Sequence, residues 1–531
     1  MIWHIFRKDL RLLWPFGLAA AIVQFAIVAV HLKLGVFEEQ PVFSSLLLLL
    51  ESVMYFGVAV LIAMVVHEDS LVGTRQDWLV RPMRRRDLLA AKALFLLLAV
   101  QLPMLLAAIV AGFSNGFPGL ISFGAALSEN VYFLIGFTLP VFAFVSLTRS
   151  FSEALGVAFV LVVADILGTE ALIVPMSGNP LGPTTNTGVS WIPLTLRFAI
   201  YLVAALAILV LQYFRRATFA SRFVLATTVM LCLVTEIMPW NFVFAWQKAM
   251  SPASVVAKSI AVRFDPALGH FQSATPPSAA AHPATFAPVA RRESEEDTTL
   301  YIPLQFTGIP RGSILKVDHV VARVSAPNTA HEQIISTAGD PGGFEVSHEA
   351  QATSESLPVY EVLHVRGKPY TRFKGTPLSL QLSYSATVLN LSSTHAMPAV
   401  NGDLRIDSLG HCETRLNDSR TAVEFRCLNV GNTSQCTTVL LQDSASGLHN
   451  PPLHGCRDDY APYFGRYKPP DPIMHTGFNL VFRDPGGLIQ YPVNESMVEG
   501  AQVLVRTYAV AGHFAIHLSI PAIRLADWSA P

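Results

Sequence analysis

The segment His67–Lys92, HEDSLVGTRQDWLVRPMRRRDLLAAK, decides how this chain is organised, because it is a short polar run between two long apolar stretches. A short loop rich in Lys and Arg stays in the cytoplasm, since these residues resist translocation across the membrane. The sequence therefore predicts a multi-pass membrane protein in which this loop lies inside. The basic residues of the loop are Arg75, Arg81, Arg84, Arg85, Arg86 and Lys92, and its acidic residues are Glu68, Asp69, Asp77 and Asp87.

Apolar stretches long enough to cross a bilayer fill the first half of the chain. A transmembrane helix needs about 20 predominantly apolar residues. Basic loops alternate with loops that carry little or no basic charge, and all of them agree with one orientation, with the N-terminus inside. An odd number of spans then puts the C-terminal half outside. Seven spans are predicted, at residues 14–32, 43–66, 88–113, 131–147, 151–174, 194–214 and 223–243.

The second half of the chain has the pattern of a β domain. Short runs rich in β-branched and aromatic residues are bounded by Gly, Pro, Asn or Asp, which predicts an antiparallel sandwich or two small ones in tandem. The predicted fold class is therefore mixed: an all-α polytopic bundle, with a six-span core and a seventh span, followed by an all-β extracytoplasmic domain. The predicted parts are a membrane domain at 1–250, a first strand and a Pro/Ala/Ser-rich linker at 251–299, and the β domain at 300–531.

Four of the five cysteines lie close together in this β half. Clustered cysteines in an extracytoplasmic domain predict two disulfides, and three pairings are open. None of the four forms a CxxC pair, so we predict no zinc site and no other metal site. The disulfide candidates are Cys412, Cys427, Cys436 and Cys456.

Three acidic residues fall inside the predicted spans: Glu51, Asp165 and Glu236. A charge in the hydrocarbon region is costly, so such residues face the interior of a bundle and pair there. Glu51 and Asp165 are therefore candidates for a substrate or ion pathway. The alternative is a structural hydrogen bond between packed helices, or a carboxyl group near the outer interface.

A set of short motifs runs through residues 6–92, at the start of the membrane half. A basic amphipathic start precedes the first span, and an acidic residue follows the second. A Gly-Thr pair, a hydrophobic pair, a proline and a basic residue come next, before a lysine opens the third span. These positions are Phe6–Leu10, Glu68, Gly73 and Thr74, Trp78 and Leu79, Pro82, Arg86 and Lys92.

In this order and spacing, residues 1–214 resemble the permease subunit of an ABC-2 type transporter. The chain departs from the family pattern at Ala91, where Gly is common, and in having three consecutive arginines where one is common. The resemblance implies that the loop after the second span docks on a separate ATPase chain and couples ATP binding to movement of the spans. The coupling residues it implies are Glu68, Gly73, Thr74, Trp78, Pro82, Arg84, Arg85 and Arg86.

Several other functions lack their sequence signatures. The chain has no GxxxxGK[ST] run, so it holds no nucleotide site or cofactor of its own, and ATP would bind to the partner. It has no HExxH or GxSxG constellation, so it is not expected to be an enzyme. The net charge of −1 gives no reason to expect nucleic acid as a partner.

The leading hypothesis is therefore a permease subunit of an ATP-driven ABC transporter, with export as the expected direction. It would lie in a bacterial inner membrane, in contact with lipid, beside a second permease copy or a related permease. The outer β domain would receive substrate, gate the exit or dock an envelope partner. The alternative is a membrane-anchored scaffold or sensor that binds a ligand outside and transports nothing.

Overall fold

The computed structural model places a helical region before a β-rich region. Its helical region covers most of residues 1–250, and its strands begin at residue 261. The structure describes residues 1–34, 41–68, 84–160, 163, 191–236, 238, 240–250, 259–269, 298–325, 333–338, 345–347, 356–365, 367–406, 409–417, 420–430, 435–443, 450, 453–456, 473–483, 490–491 and 498–529.

Six of the described helical segments are long and apolar enough to cross a membrane, by length and composition. Three of them contain a π-helical turn: one turn joins α3 to α4, one joins α5 to α6, and one follows α8. The helices are α1 (Ile2–Leu34), α2 (Pro41–Glu68), α3 (Arg85–Leu96), α4 (Leu102–Ser114), α5 (Gly119–Phe133), α6 (Leu139–Val145), α7 (Phe151–Val160), α8 (Trp191–Val210), α9 (Thr218–Glu236), α10 (Trp240–Met250) and α11 (Gly367–Phe373). The π turns are Leu97–Gln101, Leu134–Thr138 and Leu211–Arg215.

Multi-pass membrane character is thereby supported, and six of the seven predicted spans coincide with these helical segments. The remaining one, at 151–174, begins with the ten-residue helix α7, and most of the rest of it lies outside the described residues. The span at 151–174, and with it the total of seven spans, stays a prediction.

The fourth span is longer than the sequence predicts. We expected residues 114–130 to form an outer loop, but α5 begins at Gly119 and the described turn is only Asn115–Pro118. Ser128, Glu129 and Asn130 lower the apolar content of this stretch and so mimic a loop. In the structure Glu129 and Asn130 are buried among other helices.

The β-rich region consists of antiparallel sheets. A seven-stranded sheet has the order β12-β11-β16-β7-β3-β4, with β5 also paired to β3. Smaller sheets have the orders β1-β2-β6, β13-β10-β9-β8 and β14-β15. The strands are β1 (Ala261–Phe264), β2 (Thr298–Thr307), β3 (Ser313–Ser325), β4 (Gln333–Ala338), β5 (Glu345–Ser347), β6 (Ser356–Val365), β7 (Leu378–Pro398), β8 (Asp403–Ile406), β9 (Gly410–Leu416), β10 (Val423–Val430), β11 (Gln435–Asp443), β12 (Leu453–Cys456), β13 (Ile473–Leu480), β14 (Phe482–Arg483), β15 (Gln490–Tyr491) and β16 (Ala501–Ile523).

Two hydrophobic clusters hold these sheets together. The first joins β2 and β6 to β3, β7 and β16, and alternate residues of β2 from Leu300 to Phe306 are fully buried in it. The second joins β9 and β10 to β11 and to the far ends of β7 and β16. The long strands β7 and β16, of 21 and 23 residues, therefore contribute to both clusters. The predicted sandwich itself stays a prediction.

The cysteine cluster forms cross-strand pairs. Cys412 in β9 and Cys427 in β10 face each other in register and are joined by a disulfide, which confirms one of the predicted bridges. Cys436 in β11 is also disulfide-bonded, and its register partner in β12 is Cys456. The register of the strands thus selects among the pairings that the sequence leaves open.

The β-rich region contacts one end of the helical region. The Arg405 Nη1 group donates a hydrogen bond of 2.8 Å to the carbonyl oxygen of Gly116, and its guanidinium lies 5.6 Å from the ring centroid of Phe117. A small cluster of Ile192, Val243 and Phe244 also packs near β16. Because α3 and α4 run continuously towards this turn, the β-rich region lies at the end of the bundle opposite the start of α3.

Candidate functional site

Both ends of the predicted coupling loop are described, although its middle is not. Helix α2 ends at Glu68 and α3 begins at Arg85, with Arg84 just before it. Arg84 and Arg86 are exposed. Gly73, Thr74, Trp78 and Pro82 lie outside the described residues, as does the candidate pathway residue Asp165.

Ion pairs connect the base of this loop to the first helix. Lys8 Nζ lies 3.7 Å from a carboxylate oxygen of Glu68, at the end of α2. Lys92 Nζ, in the second turn of α3, lies 3.0 Å from Asp9 Oδ2. The side chains of Lys92 and Asp9 are 1% and 0% exposed, so this pair is fully buried. The start of α1 is thus fastened to the helix before the loop and to the helix after it.

Because the Asp9–Lys92 pair is buried, it restricts how the first and third spans can move relative to each other. Removing two charges from water is costly, and only close approach with further polar contacts offsets that cost. Separating the charges inside the bundle would expose each to a low dielectric, so the pair resists relative movement of α1 and α3. The sequence marked Lys92 as the residue that opens the third span, but gave no sign that Asp9 would be its partner.

A second polar group lies beside the same end of α2, the end that carries the loop. Thr148 Oγ1 is 3.4 Å from His67 Nε2, and the backbone N–H of Arg149 donates to Glu153 Oε2 at 2.7 Å. Arg222, at the start of α9, lies 3.6 Å from the same carboxylate of Glu153. The turn after α6, the start of α7 and the start of α9 therefore meet at the end of the bundle that carries the loop.

A polar cluster also lies deep within the bundle. The hydroxyl of Tyr55 on α2 is within electrostatic range of Glu51, one turn away, and of Glu129 on α5. Glu129 is 0% exposed. The Tyr55 ring packs against Phe133 and Phe137, with centroid distances of 5.8 and 5.2 Å. Tyr55 thus lies within electrostatic range of the predicted pathway residue Glu51 and of a second, more deeply buried carboxylate.

Two of the π turns adjoin this cluster. Gln101 ends one of them, and its Nε2 donates to Thr138 Oγ1, at the end of the other, at 2.8 Å. Asn130 Nδ2 donates to the backbone oxygen of Gln101 at 2.7 Å. Within the described part of the chain, Oε1 of the buried Gln101 accepts no hydrogen bond. Since π turns occur often at functional sites, the two π turns make this polar cluster a candidate functional site.

The sequence analysis missed the most buried member of the cluster. Glu129 lies in the stretch that we predicted to be an outer loop, and Gln101 and Asn130 carry no charge that would attract attention. The signal that could have found them is an acidic residue followed by Asn, with bulky apolar residues continuing at helical spacing. For Glu236, another acid of the predicted spans, the structure gives only its position at the end of α9.

The described side chains form no metal centre. Among the described residues, no group of three or more His, Cys, Asp or Glu side chains is arranged to hold a metal ion. No protein-family model matches this chain, and a search of curated protein sequences finds no match. The resemblance to ABC-2 permeases therefore still rests on the residues that carry it.

Proposed function

We propose that this chain is the permease subunit of an ATP-driven ABC transporter, coupled to a separate ATPase chain through the loop between α2 and α3. The observation that carries the proposal is that ion pairs connect both ends of this loop to α1. Lys8 meets Glu68 before the loop, and Asp9 meets Lys92 after it. A force applied to the loop by a docked partner would reach α1, α2 and α3 together.

This arrangement suits a rigid-body mechanism. Domain movements pass through packed elements that have discrete arrangements, and a flexible connection at the loop base would dissipate them. The exposed Arg84 and Arg86 supply positive charge for an acidic groove on the partner. The basic end of the bundle would face the cytoplasm, which places the β-rich region outside the inner membrane.

The pathway of the proposed permease would pass the polar cluster around Tyr55. Glu51 and Glu129 offer carboxylates inside a largely apolar bundle, and ionisable groups within membranes mark substrate or ion routes. The π turns at Gln101 and Thr138 lie in the third and fourth spans, where a change of helical pitch would rearrange the hydrogen bonds of the cluster. A second permease copy would complete the route.

The test is a pull-down of the full-length chain from its native membranes in mild detergent, with the co-purifying proteins assayed for ATP hydrolysis. We expect an ATPase to co-purify and to be lost when Arg84, Arg85 and Arg86 are all changed to Glu. The matched control changes two exposed basic residues of the β-rich region, Arg372→Glu and Lys374→Glu, which should leave association intact.

Two results would overturn the proposal. One is a pure preparation with no ATPase; the other is an ATPase whose association ignores the change at the loop. Either would favour the alternative, a membrane-anchored protein whose β-rich region binds a ligand or an envelope partner. Ligand capture by that region would then become the activity to measure.

A further inference from the structure

A cavity of about 470 Å³ lies between three helices of the bundle, α6, α8 and α9. Its walls are almost entirely apolar, and small residues on α6 and α8 leave the space open. Tyr201 and Leu233 line it and are partly exposed, so the cavity opens sideways onto the bundle surface. The lining residues are Pro140, Val141, Ala143 and Phe144 on α6, Arg197, Tyr201, Ala204, Ala205 and Ile208 on α8, and Leu225, Thr228, Val229, Cys232 and Leu233 on α9.

The outward faces of the two helices that border this opening, α8 and α9, are apolar as well. Val203 and Leu206 on α8 are 67% and 48% exposed, and Met230 and Val234 on α9 are 62% and 51% exposed. In a helix that crosses the membrane these side chains face lipid, because the hydrocarbon region that surrounds the helix contains no water. Contact with lipid accounts for an exposed apolar surface of this size. Both helices therefore border lipid, and since the cavity residues Tyr201 and Leu233 are themselves partly exposed, the cavity is accessible from the hydrocarbon region of the bilayer.

The length of the cavity matches one leaflet. From Arg197 to Ile208 the wall follows α8 for about 16 Å, given a rise of about 1.5 Å per residue. The hydrocarbon core of a bilayer is about 30 Å thick, so one acyl chain occupies about half of it. The cavity thus has the length of a single acyl chain that runs from the interface towards the midplane.

A permanent positive charge stands at one end of this apolar space. Arg197 lies near the start of the span that begins at Ile192, which puts its head close to the interface. Its Nε–H donates to Thr235 Oγ1, at the end of α9, at 2.8 Å, and the Thr235 hydroxyl in turn donates to the Cys232 carbonyl at 2.6 Å. The guanidinium is therefore held at the mouth of the cavity and does not swing freely.

We propose that this cavity binds an anionic amphiphile, with its acyl chain between α6, α8 and α9 and its anionic head group at Arg197. The apolar walls select an alkyl chain, and the guanidinium selects a carboxylate or a phosphate over a neutral head group. A fatty acid and an acidic phospholipid share this chemistry. The site lies apart from the coupling loop and does not depend on transport.

The test uses the purified full-length chain in nanodiscs of phosphatidylcholine, without nucleotide or partner. The probe is a palmitic acid analogue with a diazirine in its chain, and the matched neutral probe is the corresponding fatty alcohol. After irradiation, labelled peptides are mapped by mass spectrometry. We expect saturable labelling of α8 and α9 next to the cavity, stronger for the acid than for the alcohol.

Three variants locate the site. Arg197→Gln should weaken labelling by the acid about tenfold, as expected for loss of a charge-assisted hydrogen bond, and should leave labelling by the alcohol unchanged. Val229→Trp, which fills the cavity, should abolish labelling by both probes. Met230→Trp adds the same bulk on the lipid-facing side and should change neither.

Competition then separates the two sources of the ligand. Unlabelled palmitic acid and phosphatidylglycerol are compared as competitors, and the one that displaces the probe at lower concentration is the better ligand. The proposal is overturned if both probes label the cavity equally and ignore Arg197→Gln, or if Val229→Trp and Met230→Trp behave alike. Either result leaves the test of ATPase coupling untouched.

Discussion

At the scale of single residues, the buried ion pair makes the sharpest prediction. Lys92→Met removes the cation next to Asp9 and leaves its carboxylate in an apolar environment, which costs about 3–5 kcal/mol when one partner of a buried pair is lost. We expect a clear drop in the thermal unfolding temperature of the detergent-solubilised chain. The measurement is circular dichroism at a helix wavelength.

The double variant Asp9→Leu/Lys92→Met should recover most of that loss, because a well-packed apolar pair can replace a buried ion pair. Lys8→Met is the control: its side chain is 48% exposed, so its pairs contribute about 1 kcal/mol at most. If the double variant is as unstable as Lys92→Met alone, the pair is not the source of the effect.

Glu361 in β6 predicts a dependence of stability on pH. The side chain is 3% exposed within the first hydrophobic cluster, and burial raises its pKa from 4.5 to about 8. Within the described part of the chain its Oε2 atom has no hydrogen-bond partner. Burial also raises the pKa of the Tyr384 hydroxyl, and the charge of Glu361 adds to that shift.

The folded state holds a proton on Glu361 that the unfolded state releases above pH 4.5. The free energy of unfolding is therefore highest below pH 4.5 and falls until about pH 8, by roughly 5 kcal/mol in total. Thermal unfolding followed at a strand wavelength should show this decline. Glu361→Gln, which is neutral at every pH, should flatten it, and an unchanged slope in the variant would assign the dependence to other groups.

Residue-level predictions from the sequence succeeded where the local pattern carries the information. The clustered cysteines predicted disulfides, and the structure contains the disulfide Cys412–Cys427. The partner of Lys92 could not be predicted, because Asp9 lies far away along the chain and its neighbours mark it as part of an exposed charged face. Glu129 escaped for a similar reason, since its burial depends on helices that the local sequence does not specify.

At the scale of helices, close approach between the fourth span and α8 makes a further prediction. A Cβ atom on Gly136 would lie 2.6 Å from a ring carbon of Phe198 on α8, so Gly136→Ala must displace that ring. Phe198 stacks on Tyr132 with 4.4 Å between ring centroids, which limits how far it can move. We expect a loss of about 1–3 kcal/mol in stability, measured by thermal unfolding in detergent.

The same span offers a matched control. Gly124 has no atom within 4 Å of the position of an added Cβ, so Gly124→Ala should be neutral or slightly stabilising through its better helix propensity. Adding Phe198→Leu to Gly136→Ala should restore part of the lost stability. Equal effects of the two glycine substitutions would show that the approach to Phe198 is not what requires glycine.

Elements were predictable to different degrees, for physical reasons. Spans follow from the length of apolar runs, so six of them coincide with helices of the structure. The π turns were not foreseen, because one extra residue per turn leaves no mark in apolar content. Strand-rich character followed from β-branched and aromatic runs, but the joining of distant strands such as β3 and β7 into one sheet depends on contacts across the chain.

At the scale of the whole molecule, the two regions meet at a single end of the bundle. Arg405 bonds to the turn between α4 and α5, whereas Lys92, Glu68 and Arg222 lie at the other end. The proposed orientation, with the basic end in the cytoplasm, would therefore put the β-rich region outside. An extracytoplasmic β-rich region also suits its disulfides, which persist in oxidising compartments.

This orientation predicts which introduced thiols a membrane-impermeant maleimide can reach in intact cells. Gly375→Cys in the β-rich region is exposed, and no atom lies within 4 Å of an added Cβ, so the change should preserve the fold. We expect it to be labelled from outside. Ser150→Cys, a near-isosteric change in an exposed turn at the basic end, should be labelled only after the cells are permeabilised. The reverse labelling pattern would show that the protein has the opposite orientation. The loop between α2 and α3 would then lie outside and could not contact a cytoplasmic ATPase. Labelling of both sites from outside would mean that the two ends of the bundle do not lie on opposite sides of a membrane.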